Sequence, residues 1–311
     1  MTTLLYSHDS CIEHNPGDTH PERPDRLRAI MAGLEGKDFE GLERREAPEV
    51  EIDTIALVHD RSYINLVVAN APKDAGDLVH LDPDTVMSPA SLEAALRATG
   101  AGVASVDAVM AEEAENSFCA VRPPGHHAEG NRAMGFCLFN SVAIAAEHAR
   151  SAHGLKRVAV VDFDVHHGNG TQHTFENRPG LMYCSTHQYP FYPGSGATSE
   201  TGCDNNIVNV PMARGAGTVE FRSAFNNTIL PALRDFKPEL LIISAGFDAH
   251  EGDILGELNV TTEDYAWVTR KLMDVANECC QGRVVSMLEG GYDLRSLQQA
   301  TLAHVRVLMG Q

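Results

Sequence analysis

Three things are in short supply in this chain of 311 residues. It has no run of the eighteen or so apolar residues that a membrane-spanning helix needs. It begins MTTLLYSHDSC, without the basic and long apolar regions of a secretory signal. Cations are few: 24 Lys and Arg stand against 43 Asp and Glu, a formal charge of −19. Nucleic acids and anionic membranes are held mainly by Lys and Arg, so that balance argues against both as direct partners and favours a cationic ligand. The cysteines, seven and therefore odd in number, include no CxxC pair. That spacing points away from a disulfide framework or zinc finger and towards reduced thiols in a cytoplasmic protein.

Against this background one stretch stands out, VAVVDFDVHHGNG at Val158–Gly170. Val158 to Phe163 are mostly apolar and β-branched or aromatic, the pattern of a strand buried on both faces in a parallel sheet. Its exit is crowded with Asp162, Asp164, His166 and His167. Such a cluster next to a buried strand is unfavourable unless something compensates the charge, and a divalent metal does so. Asp164 and His166, spaced D-x-H, point to the same side of an extended segment and can share one ion. The competing reading is a pair of carboxylates capping the next helix beside two surface histidines.

Strand and helix patterns alternate along the chain, which predicts one α/β domain over residues 1–311 around a mostly parallel sheet. Strands are expected at Met1–Tyr6, Phe118–Val121, Val158–Phe163, Leu181–Ser185, Ile207–Pro211, Leu240–Ser244 and Val284–Leu288. Helices are expected at Asp25–Gly33, Pro89–Ala111, Ser141–His153, Glu220–Phe236, Thr262–Cys280 and Leu294–Met309. Four strand exits carry most of the unusual polar residues: GHHAEG, DFDVHHGNG, GFDAHEGD and EGGYD. Ligands of open parallel sheets bind beyond the carboxyl ends of the strands, so these loops predict one site.

Asp164, His166 and Asp248 supply two carboxylates and one imidazole, a catalytic zinc set that keeps a coordination position open. Two anionic ligands make the ion less electrophilic, so activation of water leans on a nearby base, and His126-His127 can provide it. Asp162 and Asn169 are the available partners. Pairing Asp162 with His126 stabilises an imidazolium, whereas pairing Asn169 with His127 orients the ring without adding charge. His127 is then the less basic ring and the better proton acceptor near pH 7. Tyr292, in the Gly290-Gly291-Tyr292 turn, can stabilise an oxyanion from the side opposite the metal; the alternative is a core tyrosine.

Five ordered motifs, RPPGHHAEGNRAMGFCLFN, VVDFDVHHGNGTQHTF, FYPGSG, SAGFDAHEGD and LEGGYDL, together resemble the histone deacetylase family. They are most similar to its class II and bacterial deacetylase-like amidohydrolase branch. The resemblance implies an arginase-deacetylase-like, three-layer α/β/α fold. It also implies one Zn2+ per chain on Asp164, His166 and Asp248, a histidine dyad at His126 and His127, and Tyr292 as donor to the amide oxygen. Gly135, Phe136, Tyr192 and Gly290 fall at the expected tunnel walls. A K+ ion is implied near Asp162, Asp164, His166 and Ser185.

Asn169 stands where class I members carry an acid, and an amide there is typical of class II. Leu255 stands where class II polyamine deacetylases carry a gatekeeper acid, which tilts the expected substrate from acetylpolyamine towards acyl-lysine. Glu251, Asp253 or Glu257 would serve that role from a different loop geometry. In THPERPDR and beyond, Asp18, Glu22, Asp82 and Asp84 are expected to meet a cationic or peptide ligand at the entrance. Two other readings compete. A two-manganese ureohydrolase of the arginase type would want a carboxylate two residues after His166, where Gly168 stands. An acyl-lysine or polyamine binding module without catalysis would be favoured by loss of Tyr292 or a metal ligand, and all are present.

Overall fold

A computed structural model describes residues 2–311. Eight strands form one sheet: β1 (Thr3–Ser7), β2 (Glu43–Glu46), β3 (Asn116–Cys119), β4 (Val158–Asp162), β5 (Leu181–Gln188), β6 (Ile207–Met212), β7 (Leu240–Ala245) and β8 (Val284–Leu288). Their order across the sheet is β2-β1-β3-β8-β7-β4-β5-β6. Every pairing among them is parallel. A two-stranded antiparallel ribbon pairs Val79–His80 with Val86–Met87 outside the sheet.

Parallel strands need crossovers, and here helices supply them on both faces. Alternation along β8 shows how. Met287 reaches Gly102 in helix Ser91–Met110, while its neighbour Ser286 bonds His304 in helix Leu294–Leu308. Helices Ser91–Met110 and Ser141–His153 pack together, as do Thr262–Cys279, Leu294–Leu308 and Asp25–Leu34. The middle strands are therefore covered twice: β4 and β7 are buried along their whole length. Each Val, Leu or Ile enclosed there contributes roughly 1.5–3 kcal/mol relative to exposure.

Besides helix Arg61–Ala69 and the ribbon, which the sequence pattern did not announce, two further elements depart from the sequence expectation. Strand β2 reads Glu-Arg-Arg-Glu, is mostly exposed and sits at the sheet edge. It carries no apolar alternation because neither face is buried, and its charges suit an edge that must not recruit another chain. The segment expected as one helix from Glu220 to Phe236 runs as Thr218–Ala224, a π-helical turn at Phe225–Ile229, and Leu230–Phe236. Pro231, at the start of the last piece, has no N–H for the regular ladder, and a wider turn before it accommodates the loss.

The topology matters for chemistry. With all eight strands parallel, their carboxyl ends lie along one edge. The loops after β3, β4, β5, β7 and β8 meet there.

Candidate active site

Asp162 closes β4, hydrogen-bonded in register between Ser185 of β5 and Ser244 of β7. The chain then leaves the sheet and turns back on itself. Asp162 Oδ1 accepts from the Asp164 amide at 3.0 Å, and Asp164 Oδ1 accepts from the His166 amide at 2.9 Å. From β7, Asp248 Oδ1 accepts from the Val165 amide at 2.7 Å, and from β8 the Gly290 amide donates to Asp164 Oδ2 at 2.8 Å. Backbone donors thus aim both carboxylates before any ligand arrives. Gly290 is required by proximity: a Cβ there would lie 2.2 Å from Asp248 Oδ2 and 2.6 Å from Asp164 Oδ2.

One donor atom each from Asp164, His166 and Asp248 lies within 4.8 Å of the others, and all three residues are buried. His166 Nδ1 is 3.1 Å from Asp164 Oδ1 and 3.1 Å from Asp248 Oδ2. Burial raises Asp248, and the negative charge of Asp164 adds to it, bringing it up to about 7. Burial opposes charge on His166, but bonds to the same two carboxylates outweigh it and hold the ring up to about 10. Two buried carboxylates sharing one proton-hungry imidazole are short of positive charge. The donor set, one nitrogen and two oxygens with backbone-fixed orientation, fits a divalent zinc ion.

The tandem histidines follow β3. Both are buried, with ring centroids 4.0 Å apart. His126 Nδ1 lies 2.9 Å from Asp162 Oδ2, and its Nε2 lies 3.9 Å from Asp164 Oδ2. Burial works against an imidazolium here, yet Asp164, Asp162 and Glu289 surround the ring and hold it well above the ordinary histidine range. His127 Nδ1 instead meets the neutral Asn169 Oδ1 at 2.8 Å. Burial, reinforced by His126 and His166, keeps it well below that range. Adjacent residues are therefore driven apart, one towards the charged acid and one towards the neutral base.

Above them lies a narrow cavity of about 100 Å³, lined by Asp84, His127, Gly135, Phe136, His166, Tyr192, Leu255 and Tyr292. Larger clefts exist on the surface without sharing these lining residues, one of them running past Glu129 and Asn169. Gly135 and Phe136 both have positive φ, 57° and 68°, a turn that brings the backbone against His127. A Cβ on Gly135 would come within 2.3 Å of His127 Cδ2. Phe136 and Tyr192 form opposing aromatic walls, Phe136 edge-on to Tyr292 at 5.9 Å and Tyr192 edge-on to His127 at 5.2 Å. Burial keeps the Tyr292 phenol well above its ordinary value, so it remains a proton donor. The Arg26 guanidinium lies 4.8 Å from the centre of its ring.

Several expectations about neighbouring acids need correcting. Glu22 is fully buried rather than at an entrance, because it is sandwiched by Arg122, Arg26 and His14. Asp18 lines a separate surface cleft with Gly17 and Leu78. Asp253 is committed to the Tyr292 and Asp293 amides, at 2.6 and 3.1 Å. Glu257 pairs with Arg214 at 2.7 Å. Of the entrance acids, Asp84 lines the cavity and accepts from the Gly135 amide at 3.2 Å, and Asp82 accepts from the Asp84 amide behind it. Ser185 sits one strand over from Asp162, with its hydroxyl 2.9 Å from His187 Nδ1.

Two residues that sequence reasoning passed over orient the dyad. Glu289 accepts from the amides of Gly125 at 2.6 Å and His126 at 3.2 Å, and from Ser244 Oγ at 3.0 Å. Glu129 accepts from Asn169 Nδ2 at 2.8 Å and is itself paired with Arg132 at 2.9 Å. With Nδ2 held this way, Asn169 must turn Oδ1 to His127 Nδ1, which places the proton there and leaves Nε2 as the acceptor. Glu129→Ala is expected to cost about tenfold in any turnover that uses His127 as base, the low end for losing such a supporting bond. Glu129→Gln, whose amide oxygen still accepts, should recover most of it; an unimpaired alanine variant would contradict this orienting role.

Comparison with known proteins reaches the same region of protein space. The histone deacetylase domain matches residues 20–308. An uncharacterized protein of Synechocystis is 39% identical over 313 residues, covering 99% of this chain and 100% of the relative. Chloroplastic histone deacetylase 14 of Arabidopsis thaliana is 38% identical, covering 99% of this chain and 77% of its own. Human polyamine deacetylase HDAC10 is 40% identical over 99% of this chain, which spans 48% of that protein. Among solved structures, the crystal structure of the HDA15 HD domain superposes with a TM-score of 0.94 at 37% identity, covering 100% of this chain and 88% of that one. No described helix is long and apolar enough to cross a membrane.

Proposed function

The chain belongs to the histone deacetylase family, and from that premise we propose that it is a zinc-dependent amidohydrolase releasing an acetyl or related acyl group from a lysine side chain or similar amine. The observation carrying this reading is the convergence of Asp164, His166 and Asp248 at the floor of a narrow cavity that also holds His127 and Tyr292.

A zinc ion held by those three residues would supply a Lewis acid for the scissile carbonyl and lower the pKa of water. The chain's own residues do the rest. Phe136 and Tyr192 flank an extended aliphatic stem and exclude water from it. His127, neutral and with Nε2 directed into the cavity, takes a proton from the attacking water. The Tyr292 hydroxyl donates to the oxygen on which negative charge builds. His126, kept protonated against Asp162, holds positive charge beside His127 and favours delivery of a proton to the departing amine. A potassium ion near Asp162 and Ser185 would add to the same field. All seven cysteines are free, five of them buried, which agrees with a reducing compartment such as the cytoplasm.

Leu255 in the cavity wall favours acyl-lysine, since an apolar side chain gives a second ammonium nothing to pair with. The acetylpolyamine reading is supported by Asp84 at the same cavity and by the −19 net charge. A panel of acetyl-lysine peptide, acetylputrescine and acetylspermidine should show highest kcat/KM on the peptide. Chelation should abolish turnover, and one equivalent of Zn2+ should restore it. Purified active enzyme containing no stoichiometric transition metal, or activity indifferent to chelator, would overturn the proposal.

A further inference from the structure

A second cluster of ligating side chains lies far from the cavity. Helix Ser141–His153 carries His148 and His153 in its C-terminal half, and helix Ser91–Met110 packs against it and presents Asp107. His148 Nε2 and His153 Nε2 each lie 2.7 Å from the same oxygen, Asp107 Oδ1. The two imidazoles meet edge to face, with centroids 5.6 Å apart and planes at 79°. One donor atom from each of the three residues falls within 4.8 Å of the others. The side chains are partly open to solvent, 15% and 25% for the histidines and 52% for Asp107.

We infer that Asp107, His148 and His153 form a surface site for a divalent first-row transition ion, zinc above all, that ties the two helices together. Hydrogen bonding is a weak reason for the arrangement, since exposed histidine–carboxylate pairs contribute little. Three donors from two helices meeting at one point is instead what a metal requires. Two imidazole nitrogens and one carboxylate oxygen select zinc, cobalt, nickel or copper over magnesium and calcium, which want oxygen alone. Donors on a tetrahedral centre sit about 3.3 Å apart when the bonds are about 2.0–2.1 Å. The observed 2.7 Å separations therefore need only a small outward turn of each ring to admit the ion. The remaining position faces water, which three partly exposed ligands allow.

The site is independent of the catalytic one. The helix is capped by Asn140, whose side-chain Nδ2 donates to the His126 carbonyl, and thirteen residues carry it about 20 Å away to His153.

Equilibrium dialysis against micromolar Zn2+, followed by metal determination, tests the inference. The wild-type chain should hold one equivalent more than His148→Ala/His153→Ala, whatever the catalytic site contains. That difference makes the result separable from any failure of the deacetylase reading. Asp107→Asn should weaken the extra equivalent at least tenfold, and provides a second measure should the double variant fold poorly. Far-ultraviolet circular dichroism and turnover on an acetyl-lysine peptide should be unchanged in Asp107→Asn. Equal metal content in wild type and variants would overturn the proposal.

Discussion

Tyr292→Phe is expected to lose roughly 10²–10³-fold in kcat, the scale for removing one preorganised oxyanion donor. The geometry restricts how the loss should appear. The ring of Tyr292 is packed against Phe136 and beneath Arg26, and its backbone amide is tied to Asp253 at 2.6 Å. Phenylalanine keeps those contacts, so the cavity should hold its shape and KM should change little. The hydroxyl is not among the groups proposed to hold the ion, so zinc content should be retained. Burial, which keeps the phenol protonated across the physiological range, means the donor is present at every working pH. Steady-state kinetics and metal analysis on the same preparation provide the check. Wild-type turnover in the phenylalanine variant would remove Tyr292 from the reaction.

The second large effect is loss of stability in mild acid. His59 is pushed down to about 4 by burial, despite its bond to the Glu129 carbonyl. His187 is likewise lowered to about 4, and His304 to about 3, by burial. Hydrogen bonding shows why the neutral form is needed. His59 Nε2 accepts from the Asn140 amide at 2.8 Å, a bond that a proton on that nitrogen would break. In His304, Nδ1 faces Thr269 Oγ1, whose own proton goes to the Tyr265 carbonyl, so Nε2 is left to accept from Ser286.

All three folded pKa values lie below the unfolded value of about 6.5. The unfolded chain therefore takes up protons first as the pH falls. The contribution of these three is complete above about pH 6.5 and declines by about 1.4 kcal/mol per pH unit for each histidine until its folded pKa is reached. Three such groups together give about 4 kcal/mol per unit, of which Glu289, raised to about 7 by burial, offsets about 1.4, against a total of about 5–15 kcal/mol for a typical domain. Glu22, held low by Arg122, His14 and Arg26 against the opposing effect of burial, adds to the loss only below its unfolded value. His126, raised rather than lowered, contributes stability that is constant in acid and lost as pH rises past neutrality. Urea unfolding at pH 7.5, 6.0 and 5.0 should show a steep fall in midpoint below pH 6.5. A midpoint unchanged between pH 7.5 and 5.0 would contradict the neutral buried histidines.

Much of the site could be read from the sequence because chemistry and strand pattern coincide there. An apolar β-branched run ending in acid and imidazole announces both a buried strand and its exit. Where the same order holds, at β3, β4, β7 and β8, the polar residues beyond the strand ends were identifiable. Strand β2 has the opposite character: at a sheet edge with exposed faces, nothing compels an apolar pattern, so Glu-Arg-Arg-Glu gives no warning. Glu22 misled for a related reason. A charged residue in a Pro-rich loop reads as exposed, and its burial is compensated by Arg122, a hundred positions away.

The sequence alone determined the alternation of strand and helix, the parallel sheet and the clustering of metal-type ligands at strand exits, because these follow from local pattern and short spacing. Tertiary structure decided which acids face the cavity, that Glu129 and Glu289 orient the histidines, and that His148 and His153 meet Asp107. Each of those depends on a contact between residues distant along the chain, set by how the layers pack. No local pattern encodes such a contact.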